Sequence, residues 1–128
     1  MQDTPSVISQ KNMLRLGKKG EDAAAMYLRL KGYRILQRNF HSRYGEIDII
    51  AFKNETVVFV EVKTRGKHPI DTPASAVDIF KQKKIIKTAY FYIMNKQLDD
   101  VDMRFDVIEV RACGFGCKIN HIENAFEV

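Results

Sequence analysis

Asp48, Glu61 and Lys63 are the residues of this chain whose types and spacing could do chemistry, because they stand where apolar strand patterns should continue. They interrupt Gly45-Glu46-Ile47-Asp48-Ile49-Ile50 and the run from Thr56 to Arg65, both rich in β-branched or aromatic residues alternating with charges. Each run reads as a strand, and Lys53-Asn54-Glu55 between them marks a tight antiparallel turn. A turn centred between Asn54 and Glu55 sets Asp48 opposite Glu61 and Glu46 opposite Lys63. Alternation then puts these four on one face and Ile47, Ile49, Val58, Val60 and Val62 on the other. A one-residue slip would oppose Asp48 to a valine and mix the faces, so the pattern argues for this register. Two opposed carboxylates repel by a few tenths of a kcal/mol or more. A divalent cation offsets that repulsion, since Mg²⁺ takes one or two carboxylates, keeps several waters and accepts phosphate oxygens. Lys63, on the same face, can orient a water or stabilise charge building on phosphorus. By itself an E-x-K on a strand reads more simply as a solvent-facing strand with mixed charges; the opposed aspartate weighs against that.

The elements that must position these residues follow from periodicity. Leu14 to Lys31 reads as a helix with Ala24, Tyr27 and Leu28 on one side and Gly32 as its stop. Glu21 lies on that stripe, three, four and seven positions before Ala24, Ala25 and Leu28, so its carboxylate is expected to face inward. Tyr33 to His41 has strand composition with imperfect alternation. Gly66 to Pro73 combines a glycine with two prolines and reads as a loop starting beside the proposed site, with His68 as ordinary surface. Ser75 is the expected N-cap of a second helix to about Asn95, burying Val77, Phe80, Ile85, Ala89, Tyr92 and Ile93. Its first half is basic, and Lys81, Lys83, Lys84 and Lys87 suit either a solvated face or phosphate contacts. Val101 to Val110 alternates as a strand in which Arg104 and Asp106 read as a structural ion pair, and Lys118 to Ile122 as a final strand. The order is helix, three strands, helix, two strands: an α/β chain with a mixed sheet between helices.

At 128 residues the chain is expected to form one domain, residues 14–128, after a polar extension over 1–13. With 45% hydrophobic and 29% charged residues, and no apolar run near the roughly 18 that suggest a membrane span, its composition is that of a soluble protein without a membrane partner. The first ten residues lack the apolar stretch of a secretory signal, which points to the cytoplasm. Cys113 and Cys117 are a lone C-x3-C, poor grounds for zinc or a disulfide. A net charge of +5 favours approach to a polyanion.

With Glu21 on the first helix, Asp48 on the second strand and Glu61-x-Lys63 on the third, the chain resembles the restriction-endonuclease-like superfamily with its PD-(D/E)XK motif. Within it, the sequence is most similar to the YraN-like family of small bacterial proteins. Gly17-x-x-x-Glu21, Gly45-Glu46-Ile47-Asp48, Val60-Glu61-Val62-Lys63-Thr64-Arg65, Val77 with Lys81-Gln82, and Arg104-Phe105-Asp106-Val107 carry the resemblance. It implies an α-β-β-β-α-β core, Mg²⁺ or Mn²⁺ dependence, and endonucleolytic hydrolysis of double-stranded or branched DNA, as by archaeal Holliday-junction resolvases acting in repair or recombination. Asp48 and Glu61 would be metal ligands, Glu21 an additional acid, Lys63 the catalytic lysine and Gln82 a polar site residue from the second helix. Arg65, Lys81 and Lys84 would meet the phosphate backbone, and a homodimer is left open. Ile47 stands where the motif has proline. The alternative is a nuclease fold that binds nucleic acid, as a repair accessory, without turnover.

Overall fold

The computed structural model describes residues 10–65, 77–113 and 116–128. They form α1 (Gln10–Leu30), β1 (Arg34–Ser42), β2 (Gly45–Lys53), β3 (Thr56–Arg65), α2 (Ile79–Asn95), β4 (Asp102–Cys113) and β5 (Gly116–Phe126). The strands make one mixed sheet in the order β1-β2-β3-β4-β5; β3 and β4 run parallel and the other pairs antiparallel. A parallel pair needs a long crossover, and α2 lies in it.

Each face of the sheet is covered by one helix. Ala24, Ala25 and Leu28 of α1 pack on Ile49, Ala51, Val58, Val60, Ile108 and Val110. Ile85, Ala89 and Tyr92 of α2 pack on Ile50, Val57, Phe59, Phe105 and Val107. Neighbouring residues of β2 and β3 therefore enter different cores, as a strand buried on both faces requires. α1 ends at Gly32, whose φ of +92° places it in the left-handed region, while the Tyr33 amide returns to the Leu28 carbonyl at 2.9 Å.

The β2–β3 hairpin has the expected register. Asn54 and Glu55 both take left-handed φ values, 51° and 60°, which is the two-residue turn that matches strand twist. Lys53 pairs with Thr56, and the ladder continues to Ile49 opposite Val60. The expected faces need one correction: Ile47 does not share a core with Ile49 but packs with Phe40 on the α2 side. Opposite Ile47 on β1, Phe40 follows Asn39, whose φ is 52°, and the β1–β2 register shifts earlier, between Ile35 and Gln37.

α1 starts four residues before the expected Leu14, at Gln10. Ser75, like the 66–73 loop and His68, lies outside the described residues, and the cap of α2 is Asp78, whose carboxylate accepts the Lys81 amide at 3.0 Å. Phe80 is 73% exposed rather than buried, because the stripe through Ile85, Ala89 and Tyr92 turns it outward. β5 runs well beyond the expected Lys118 to Ile122. Cys117 is a free, exposed thiol. Among the described residues no helix is long and apolar enough to cross a membrane.

Candidate active site

The site forms where the β2–β3 ladder stops. One step past the Ile49–Val60 pair the same register brings Asp48 to Glu61. Asp48 accepts the Val62 amide at 2.8 Å, so its carboxyl takes the place of a backbone acceptor as the strands part. Burial, then the Glu61 carboxyl beside it and that residue's charge, push Asp48 from the usual 3.8 up to about 8. One proton is thus held between two acids, as like charges at close range demand.

Glu61 is 11% exposed, and its Oε2 is a buried oxygen with no well-aligned hydrogen bond among the described residues; the Lys81 ammonium meets it as an ion pair. Burial pulls the Lys81 ammonium down, and the carboxylates of Glu61 and Asp48 more than restore it, leaving it raised. Lys81 is 56% exposed and reaches the site from the first turn of α2. Lys63 is shifted below the ordinary lysine range by burial and then by the Arg65 charge, with Lys81 adding to the effect. Glu21 lies 3.9 Å from Arg38, which also binds Asp22 at 2.7 Å, and its charge contributes to raising Asp48.

Two glycines seat the helices against this open end. A Cβ on Gly20 would stand 2.1 Å from Thr64 Oγ1, so α1 touches β3 at the residue preceding Glu21. Gly45, at φ +150°, would bring a Cβ within 3.3 Å of Thr88 Oγ1 and 3.6 Å of Lys84 Cβ, fixing the start of β2 against α2.

The other expected site residues have different surroundings. The Gln82 amide donates to the Val77 carbonyl at 2.7 Å and fastens the start of α2. Arg65 donates to Glu109 at 3.0 Å across the parallel pair, with both side chains largely buried. Lys84 is exposed beside Gly45, Glu46 and Lys81 in an open cleft. Among the described residues no three acids, histidines or cysteines come together as a ready-made ion cage. What Asp48 and Glu61 offer is two carboxylates, one retaining a proton and one with a buried, poorly bonded oxygen. That donor set fits a hard divalent ion that completes its shell with water and phosphate oxygens.

A second acid centre forms around Asp106. Asp106 is fully buried and accepts two bonds from Arg104 at 2.9 Å, one from the Asn124 amide at 3.0 Å and a 2.7 Å contact with His121 Nε2. Arg104 also donates to the Tyr33 hydroxyl at 2.7 Å, and the Tyr27 hydroxyl lies 3.0 Å from His121 Nδ1. Burial acts to raise Asp106, but the bonds from His121, Arg104 and Asn124 outweigh it and hold the carboxyl below its usual value. Arg104 with Asp106 was legible as an ion pair; His121 and Tyr33 are too far away in sequence for any spacing to announce them.

Fold and site define an α/β protein with a mixed sheet between two helices and an acid pair with two lysines where a central hairpin opens. The chain belongs to the uncharacterised protein family UPF0102, the YraN family, whose profile matches residues 20–110. It is 48% identical over 112 residues to a UPF0102 protein of Persephonella marina, covering 88% of this chain and 93% of that one. A UPF0102 protein of Syntrophus aciditrophicus is 49% identical over 115 residues, covering 90% and 91%. Among solved structures, Pyrococcus furiosus SfsA in complex with Ca²⁺ is similar at 16% identity and a TM-score of 0.40, covering 91% of this chain and 66% of that one. A likeness so distant says nothing about the site.

Proposed function

We propose that this protein is a metal-dependent DNA endonuclease of the PD-(D/E)XK type, hydrolysing phosphodiester bonds in double-stranded or branched DNA. The observation that carries the reading is the Asp48–Glu61 pair, two carboxyls brought to the open end of a hairpin, one accepting the Val62 amide and the other met by the Lys81 ammonium. Mg²⁺ or Mn²⁺ held by these two residues would supply positive charge against the charge developing on the phosphoryl oxygens. Lys63 can orient a water toward phosphorus or stabilise the charge building there. The water oxygen bonds to phosphorus and gives up a proton to solvent, the P–O bond opposite breaks, and the departing sugar oxygen takes up a proton from solvent. Glu21 keeps a further negative charge near Asp48, and Lys84 offers a cation to the backbone.

The Lys81–Glu61 ion pair favours a second reading, because an ammonium already meets the carboxylate a metal would need. On that reading the chain binds nucleic acid without turnover. Incubation with supercoiled, single-stranded, flap and four-way-junction DNA in Mg²⁺ or Mn²⁺, beside Asp48→Ala and Lys63→Ala, separates the two. Cleavage lost in both variants is expected. Equal traces of nicking in all three proteins would overturn the enzymatic reading, and salt-sensitive binding without cleavage would select the second.

A further inference from the structure

From the first turn of α2 onward, Lys81, Lys84 and Lys87 follow one another at three-residue spacing and lead from Glu61 toward an aromatic cleft. That cleft, of about 570 Å³, lies where the β1–β2 turn meets the far half of α2 and is lined by Arg43, Tyr44, Lys87, Tyr90, Phe91 and Met94. Tyr90 is 44% and Phe91 38% exposed. Arg43 stands 5.0 Å over the Tyr44 ring and donates to its hydroxyl, and Tyr44 in turn packs edge-on to Phe91 at 5.9 Å. The Tyr44 and Phe91 rings are thus held together at the turn, with cations beside them and, among the described residues, no carboxylate in the lining.

We propose that this cleft binds an unpaired nucleotide of a strand whose backbone runs along Lys84 and Lys87 toward the acid pair. Rings beside Arg and Lys are what a single strand requires, since every base presents a face for stacking and every phosphate a charge. A second copy of this chain is a poorer occupant, because a self-complementary contact would gather the Arg43 and Lys87 charges of both copies in one interface. From Lys81 to Phe91 the helix rises about 15 Å. That is about four nucleotides at the 3.4 Å rise of stacked DNA. The inference deepens the nuclease reading by naming its substrate class: DNA with unpaired nucleotides a few positions from the bond cut.

Fluorescence anisotropy of the full chain in EDTA, with labelled oligothymidine and with a duplex of equal length, tests the cleft without requiring catalysis. Tyr90→Ala is expected to weaken oligothymidine binding about tenfold, with duplex binding unchanged, whereas Tyr90→Phe retains both. Equal binding of oligothymidine by parent and Tyr90→Ala, with matching circular dichroism, would overturn the proposal. So would a dimer in the parent that Tyr90→Ala converts to monomer. Cleavage that requires Asp48 but ignores Tyr90 would leave the nuclease reading standing and remove the cleft; Tyr90-dependent binding in a chain that never cleaves would do the reverse.

Discussion

Asp48 and Asp106 are the same residue on the same sheet, and their surroundings drive them in opposite directions. Asp106 is sealed in and answered from several sides, by Arg104, His121 and the Asn124 amide, so it stays ionised below its usual value. Asp48 is part-buried, answered by a single amide and opposed by Glu61, so it holds its proton up to about 8. A buried charge whose partners are complete ties a fold together; one facing a like charge is a demand the fold leaves unmet, and a ligand can meet it.

The comparison breaks if the two aspartates respond alike to removal. Asp106→Ala leaves Arg104 and His121 around an empty polar centre, and urea unfolding should show a loss of about 3 kcal/mol. Asp48→Asn, which is neutral without having to keep a proton, should keep or raise stability. The same variant should lower cleavage about 100-fold or more, equivalent to about 2.7 kcal/mol of barrier, measured on whichever DNA the parent cuts. Next, Mn²⁺ at about a hundred times its Kd should stabilise the parent by about 2.7 kcal/mol in thermal melts and leave Asp48→Asn unmoved. An equal shift in both would place the ion elsewhere.

A further contrast lies in pH dependence, read as urea midpoints in metal-free buffer. Asp106 titrates lower folded than unfolded, so its contribution is complete above the ordinary value of 3.8 and is lost as pH falls through its folded value. Asp48 titrates higher folded than unfolded. Between 3.8 and about 8 the folded chain keeps a proton that the unfolded chain has released, and stability falls as pH rises. Asp48→Asn should flatten the neutral limb and leave the acid limb in place.

The acid pair was legible because a two-residue turn and strict alternation fix a hairpin from local sequence alone, and Lys53 opposite Thr56 carries that register toward Asp48. Ile47 was misplaced because it enters the core on the α2 side while Ile49 enters the other, a break that strict alternation along β2 does not anticipate. The helix cap moved to Asp78 because several residues before α2 can cap and only the packing of Val77 and Ile85 selects among them. The Asp106 centre joins residues up to 94 positions apart, from Tyr27 to His121, so the pair was visible and the surrounding network was not. Lys81 read as a phosphate contact, while its bond to Glu61 needed the crossover to be folded.

The contact between Gly20 and Thr64 has a consequence for anyone trying to stabilise this chain by design. Filling helix glycines with alanine is a standard engineering move, with a return of about 1 kcal/mol at an open position. α1 holds two such glycines three residues apart. At Gly17 a new Cβ meets nothing within 4 Å, and alanine there should raise the melting temperature. At Gly20 the same methyl would collide with Thr64, and the identical edit should lower it. A rule applied by residue type would gain at the first position and pry the helix from the strand that carries Glu61 and Lys63 at the second.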